Sequence, residues 1–350
     1  MSMIGAVSIF EEDVASVSDA LMADWPRLRG ARLFVTGGTG FIGRWMLEAL
    51  LDADRRLSLD IKVTILTRDP AAFAAKAPHL AAHPAFRFVA GDVMTLEPTA
   101  DRFTHVLHAA TDASADLNLN HPTRMFDTVV TGTRRALDFA VASGAQRFFF
   151  FSSGAVYGAQ PWDVTHVGED WLGGPDPRET RNTYAEAKRA AELLCAIYAK
   201  AQGLEVVTAR IFALLGPLLS LDIHFAAGNF IRDALAGRTV RVEGAGTAVR
   251  SYLYAADLTV WLWAILLRAA PGAVYNVGSQ EAVSIADLAR LTALTLGNAG
   301  SEILGKPDPG WNPGRYVPST ALIRSELGVA QTVDLAEAIR RTAASHGWKR

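Results

Sequence analysis

Thr36-Gly37-Gly38-Thr39-Gly40-Phe41-Ile42-Gly43 lies between the apolar run Leu33-Phe34-Val35 and the segment Arg44-Trp45-Met46-Leu47-Glu48-Ala49-Leu50-Leu51. A short strand, a glycine-rich turn and a helix, in that order, open a βαβ unit. Glycines at this T-G-x-x-G-x-x-G spacing let the turn tighten, and they let backbone N–H groups approach a pyrophosphate at the positive end of the helix. Gly37, Gly40, Phe41, Ile42 and Gly43 are therefore candidate dinucleotide-binding positions.

Downstream, short apolar runs at 32–36, 63–67, 86–90, 105–108, 147–151 and 205–211 alternate with helical patterns at 44–51, 123–143 and 184–202. Strands that read as continuous apolar runs belong to a parallel sheet covered on both faces. The expected fold is α/β, a Rossmann-like doubly wound parallel sheet with a smaller C-terminal substrate-binding lobe. Residues 1–28 carry a helical period (Val14, Val17, Leu21, Met22, Trp25) that stops at Pro26 and reads as an appended N-terminal helical extension. Residues 29–212 form the dinucleotide-binding domain and 213–350 mainly the lobe, with helices at 228–236, 258–268 and 284–296. A short strand at 274–278 is a candidate to rejoin the main sheet.

Composition narrows the function. Lys and Arg number 34 against 36 Asp and Glu, so no strong field gathers nucleic acid or an anionic membrane. Cys195 is the single cysteine, which excludes an internal disulfide and a Cys-rich zinc site and fits a reducing compartment, the cytoplasm. Its simplest role is as a small core residue. The start MSMIGAVSIFEEDVAS sets acids, not Lys or Arg, beside its apolar stretch, which argues against secretion. The apolar run 260–267 falls far short of the roughly 20 residues a membrane span needs. No metal ligands cluster; His79, His83 and His121 sit in loops as solvated side chains, and no G-x-S-x-G elbow accompanies the His and Ser residues.

The second strand ends in Leu66-Thr67-Arg68-Asp69. A guanidinium fork suits a 2′-phosphate, so Arg68 favours NADP over NAD; the alternative has Arg68 in solvent and Asp69 on the ribose hydroxyls. Asp92 and Val93 end the third strand, where the adenine edge lies. His108-Ala109-Ala110 ends the fourth, with Ala109 and Ala110 leaving room for the cofactor and His108 a packing residue.

Tyr184-Ala185-Glu186-Ala187-Lys188 opens a helix and sets Tyr184 and Lys188, i and i+4, on one face. A nearby ammonium favours the phenolate of a tyrosine, so this pair suits acid–base work nearer neutral pH. Upstream, Phe151-Ser152-Ser153-Gly154-Ala155-Val156-Tyr157-Gly158 closes the fifth strand.

With these motifs in place, the chain from about Arg32 to Leu327 resembles the extended short-chain dehydrogenases, in particular the NAD(P)-dependent nucleotide-sugar epimerase/dehydratase group. The resemblance implies that Tyr184 is the acid–base, that Lys188 binds the nicotinamide ribose and lowers the tyrosine pKa, and that Ser153 hydrogen-bonds the reacting oxygen. Tyr157 looks like the packing tyrosine of the S-S-x-x-V-Y-G motif. Gly228-Asn229-Phe230-Ile231 resembles the segment whose Asn contacts the sugar diphosphate. Arg250-Ser251-Tyr252-Leu253-Tyr254-Ala255-Ala256-Asp257 resembles the motif whose Arg neutralises that diphosphate, and Arg315 supplies a second cation. The group also implies a homodimer through the helices 123–143 and 184–202.

Three positions depart from that pattern. Dehydratases of the group carry Asp-Glu after the Ser or Thr and uronate decarboxylases keep the Glu, where this chain has Gly154-Ala155; neither exchanges protons. Val129 stands where an Asn is usual, and Ala213 closes Arg210-Ile211-Phe212-Ala213 in place of Asn. Epimerisation of a nucleotide-diphosphate sugar through a transient ketosugar, at C4, is the leading expectation. An NADPH-dependent 4-ketosugar reductase is the runner-up, ahead of a 4,6-dehydratase and of a non-catalytic NADP-sensing module.

Overall fold

Seven parallel strands form the central sheet: β1 (Arg32–Thr36), β2 (Lys62–Thr67), β3 (Phe86–Ala90), β4 (His105–His108), β5 (Arg147–Ser153), β6 (Glu205–Ile211) and β7 (Val274–Val277). They hydrogen-bond in the order β7-β6-β5-β4-β1-β2-β3. The computed structural model describes residues 8–111, 115–222, 226–297, 300–308 and 314–349. The order reverses between β1 and β4, and a ligand of an open α/β sheet sits outside the carboxyl ends of the strands at that switch. β7 pairs with β6 from Val274 opposite Thr208 to Val277 opposite Ile211. β5 runs two residues past its apolar stretch because Ser152 and Ser153 still pair with Arg210 and Ile211 of β6. That extension carries Ser153 to the carboxyl edge.

Helices cover both faces. On one lie α1 (Ile9–Ala20), α2 (Phe41–Leu57), α5 (Ala255–Arg268) and α6 (Leu335–Ser345), sharing a buried apolar cluster with the sheet. On the other lie α3 (Pro122–Ala142) and α4 (Thr183–Gln202), packed on Phe148, Phe150 and Val206. Both α3 and α4 keep apolar side chains exposed, Phe126 and Val141 on the first and Leu193 and Ile197 on the second. No helix among the described residues is long and apolar enough to cross a membrane.

The N-terminal segment is integrated into the fold. Ser8 and Glu11 form a reciprocal capping box that starts α1. Val17, Leu21 and Trp25 are then fully buried, and Trp25 meets Trp263 of α5 edge-on with ring centroids 5.1 Å apart. Met22, read from the sequence as part of the same apolar stripe, is exposed, in the turn that follows α1. Residues 1–7 of the expected extension lie outside the described residues. His79, expected in a solvated loop, sits on the short helix Pro78–Ala81 and bonds the buried Glu48 at 2.8 Å.

Asp13 of α1 joins three segments: its carboxylate accepts from the buried Tyr254 hydroxyl and from Arg341 of α6. Replacing it leaves the buried Tyr254 hydroxyl without its acceptor and takes one of two carboxylates from Arg341, which keeps Glu337. Asp13→Ala is expected to lower unfolding free energy by about 2–3 kcal/mol, read from the urea midpoint at unchanged slope. A loss under about 0.5 kcal/mol would show that α1 is merely appended.

Candidate active site

The loop between β1 and α2 has a shape only glycine allows. Gly37 has φ +74°, and a Cβ there would lie 2.5 Å from the Ala109 carbonyl carbon and 2.6 Å from the Ala110 nitrogen. At Gly43 a Cβ would meet the Gly37 carbonyl oxygen at 2.3 Å. The loop is thus pressed onto the end of β4 and onto the first turn of α2. Gly40, the N-cap of α2, offers no side-chain acceptor, so the first N–H groups of that helix, around Phe41 and Ile42, have no side-chain cap. An uncapped helix start above a glycine cradle is the donor set a pyrophosphate fits.

The neighbouring strand ends are arranged around it. Thr36 Oγ1 lies 2.7 Å from His108 Nδ1, and His108 Nε2 lies 3.1 Å from Thr133 Oγ1. Burial holds His108 down to about 3, so it is a neutral bridge between sheet and helix. At the end of β2, Asp69 caps the next helix by accepting from the Ala72 N–H at 2.8 Å. Arg68 beside it is exposed and makes no side-chain hydrogen bond or ion pair among the described residues. At the end of β3, Asp92 accepts from the Met94 N–H at 2.9 Å, and Val93 is buried against Gly132 of α3.

Ser153, Tyr184 and Lys188 meet at the carboxyl edge. Tyr184 and Tyr316 line one cavity of about 340 Å³ with Ala155, Asn118 and Arg181. Tyr184 sits in the first turn of α4, and its backbone N–H donates to Asn118 Oδ1 at 2.9 Å, a cap supplied from a distant segment. Lys188 is buried; its Nζ donates to the Phe151 carbonyl at 2.7 Å and to Thr111 Oγ1 at 3.0 Å. Tyr157 packs in the interior, donating to Asn276 Oδ1 at 2.7 Å and accepting from Arg210 at 2.8 Å. Asn118, Thr111 and Tyr316 were not among the candidates read from the sequence. Thr111 could have been reached by following the end of β4 one residue further, whereas Asn118 has no local signal.

The sequence-based expectation of a lowered tyrosine pKa is corrected here. Burial raises the Tyr184 pKa, with the Ser153 hydroxyl pulling it partly back. The Lys188 ammonium is directed at a carbonyl and a threonine, and lies 5.9 Å from the centroid of the Tyr184 ring. Burial also brings Lys188 down to about 7, opposed by Cys195 and Glu192. Desolvation outweighs the mutual effect of the pair.

On the substrate side, the strands Val249–Arg250 and Arg315–Tyr316 pair in parallel, with Arg250 opposite Tyr316. Arg250 Nη1 donates to the carbonyls of Val249 and Gly314 at 2.9 and 3.2 Å. Arg315 lies over the Trp162 ring at 5.2 Å, with its buried Nε unpartnered. Neither forms an ion pair among the described residues. Asn229 is half-buried on the helix Ala226–Leu235, and no hydrogen bond ties it to the arginines or to the catalytic set.

A doubly wound sheet with a glycine cradle at its switch point and a Tyr/Lys helix beside a serine-tipped strand defines the extended short-chain dehydrogenase fold. The chain belongs to the NAD dependent epimerase/dehydratase family, whose model matches residues 33–278. UDP-glucuronic acid decarboxylase 1 of Xenopus tropicalis is 30% identical over 311 residues, 89% of this chain and 71% of its own. The dTDP-glucose 4,6-dehydratase DesIV of Streptomyces venezuelae, solved with NAD bound, superposes with a TM-score of 0.76 at 25% identity, covering 90% of this chain and 96% of its own. The UDP-glucose 4-epimerase of Thermus thermophilus, in complex with NAD, gives 0.73 at 26% identity, covering 90% and 99%. By their names these relatives act on nucleotide sugars through three different reactions.

The depressed Lys188 pKa has a consequence for stability. In the unfolded chain Lys188 titrates near its ordinary 10.5, in the folded protein at about 7. Between those values the unfolded state binds the extra proton, so stability falls as pH drops through this window and levels off below it. Lys188→Met removes the titration. Its stability relative to wild type, in the protein free of cofactor, is expected to improve by roughly 3 kcal/mol from pH 10 to pH 7. Thermal melts across that range check this; a pH-independent difference would rule out a buried, depressed lysine.

Proposed function

We propose that this chain is an NAD(P)-dependent nucleotide-sugar 4-epimerase. The observation that carries the reading is the make-up of the cavity beside Tyr184. Where a dehydratase or a uronate decarboxylase of this group needs a carboxyl group, the chain has Gly154 and Ala155. The Phe212 ring lies 2.5 Å from where a Cβ on Gly154 would stand, and Ala155 lines the cavity without a titratable group. Acid–base work at the reacting carbon falls to Tyr184.

A nicotinamide dinucleotide in the Gly37–Gly43 cradle supplies reversible hydride exchange with a carbinol carbon. Tyr184 takes the hydroxyl proton of that carbon and returns it after the ketosugar has turned. Ser153 holds the same oxygen, and Lys188, fixed by Phe151 and Thr111, is the hydrogen-bond donor at the ribose side. Arg250 and Arg315, on paired strands and without carboxylate partners among the described residues, suit a diphosphate, which needs charge to be desolvated. Asn229 is the third diphosphate contact in this reading. Residues 213–350, which supply these side chains, act mainly as the substrate lobe.

One observation favours a second reading. Arg68, exposed at the end of β2 and without a side-chain partner among the described residues, suits a 2′-phosphate, and NADPH commonly serves net reduction, here of a 4-ketosugar.

UDP-, dTDP-, CDP- and GDP-hexoses and their 4-keto-6-deoxy forms, followed by NMR and by nicotinamide absorbance, separate the two. Epimer formation without net change in cofactor is expected, with Tyr184→Phe at least about 100-fold slower in kcat and cofactor affinity nearly intact. Stoichiometric NADPH oxidation by a ketosugar would establish the reductase instead. A Tyr184→Phe enzyme retaining more than about a tenth of kcat, a barrier change under about 1.4 kcal/mol, would remove Tyr184 as acid–base. For the cofactor, Arg68→Ala is expected to weaken NADP binding at least about tenfold and to leave NAD binding unchanged by titration. Equal losses would show that Arg68 reads no 2′-phosphate.

A further inference from the structure

Tyr316 follows Arg315, the expected second cation, and carries no role of its own in the resemblance, yet the fold brings it to the reacting centre. It lines the same cavity as Tyr184 and Ala155. Its hydroxyl donates a long hydrogen bond, 3.4 Å, to the Ile211 carbonyl, and Ile211 is the residue paired with Ser153 across β5 and β6. Its ring packs on Phe212 with centroids 4.5 Å apart and planes tilted by 35°, and Phe212 lies against Gly154. The absence of a side chain at Gly154 is therefore what admits Phe212, and Phe212 in turn supports Tyr316. The strand pairing that sets Tyr316 opposite Arg250 fixes it from the other side. Beside Gly154 and Ala155, which carry no carboxyl group, this chain has an aromatic wall ending in a hydroxyl.

We propose that Tyr316 is a second substrate-contacting phenol, exchanging its long bond to the Ile211 carbonyl for one donated to the reacting oxygen of the sugar together with Ser153, opposite the proton-exchanging Tyr184. This rests on the nucleotide-sugar reading above. Burial raises the Tyr316 pKa, the Ser153 hydroxyl lowers it in part, and the neighbouring Tyr184 raises it further. The phenol is thus protonated throughout the working range, a fixed donor and not a second base. A ketosugar oxygen held between two hydroxyl donors keeps its place while the ring turns about it, and negative charge developing on that oxygen is met by O–H dipoles in place before the reaction.

The test is Tyr316→Phe, which keeps the ring on Phe212 and removes only the hydroxyl, assayed beside wild type and Tyr184→Phe. The expected result is a kcat roughly 10- to 100-fold lower. Thermal midpoint should stay near wild type, and calorimetric affinities for cofactor and for a nucleotide diphosphate should change less than about twofold, because neither ligand alone contains the reacting oxygen. A Tyr316→Phe enzyme with kcat within about threefold of wild type would overturn the proposal; an inactive Tyr184→Phe beside it would leave the nucleotide-sugar reading standing. A fall in kcat matched by falls in melting point and in both affinities would also overturn it, in favour of packing. If wild type turns over no nucleotide sugar but reduces small ketones, the substrate reading fails, and the same pair of variants is compared on the ketone. A slower Tyr316→Phe there sustains the contact to the reacting oxygen, and an equal rate removes it.

Discussion

Only a hydrogen atom fits between Gly37 and the backbone of Ala109 and Ala110, and that close approach governs the active edge of this protein. It presses the first loop onto the end of β4, aims the uncapped start of α2 across the switch between β1 and β4, and leaves room for an anionic ligand between them. Gly43 closes the same loop from below against the Gly37 carbonyl. The parallel sheet beneath, buried on both faces, is what makes the position rigid enough to matter. His108, neutral and hydrogen-bonded to Thr36 and Thr133, locks β1, β4 and α3 together directly under the cradle.

Burial, more than pairing, sets the acid–base character of the site. Tyr184 is pushed up and Lys188 pulled down to about 7, both by desolvation. Both shifts favour the neutral forms, and no ion pair forms between the two side chains. The Ser153 hydroxyl tempers burial at Tyr184, and Cys195 and Glu192 temper it at Lys188, whose ammonium is held in place by the Phe151 carbonyl and the Thr111 hydroxyl. Behind them Ser152 donates to Glu192 at 2.6 Å, and Glu192 is held by Arg210, so the strand that carries Ser153 is tied to α4 on its far side as well. Geometry at the reacting centre is thereby fixed from two sides.

The family to which the chain belongs runs several reactions from one scaffold, and here the difference is steric before it is chemical. Gly154 lets Phe212 occupy the ground beside Ser153, and Ala155 leaves the cavity wall without a carboxyl group. Relatives of the same family and fold are named for decarboxylation, dehydration and epimerisation. Both small residues lie on one short turn, Gly154–Tyr157, directly after Ser153.

Much of this was written locally in the sequence. Apolar runs bounded by turns marked the six strands from Arg32 to Ile211, because strands buried on both faces need no alternation, and the glycine spacing marked the cradle because only glycine survives there. Tyr184 and Lys188 were legible as one helical face because i and i+4 are neighbours in any helix. The tertiary structure decided the rest. It made α1 part of the core through Trp263, Tyr254 and Arg341, reversed the expected direction of the Tyr184 pKa, supplied Asn118 as the cap of α4, and brought Tyr316 beside Ser153. Each of these depends on residues distant in the chain that meet only once the sheet has closed. Desolvation and packing are sums over neighbours in space, and a sequence names only neighbours along the chain.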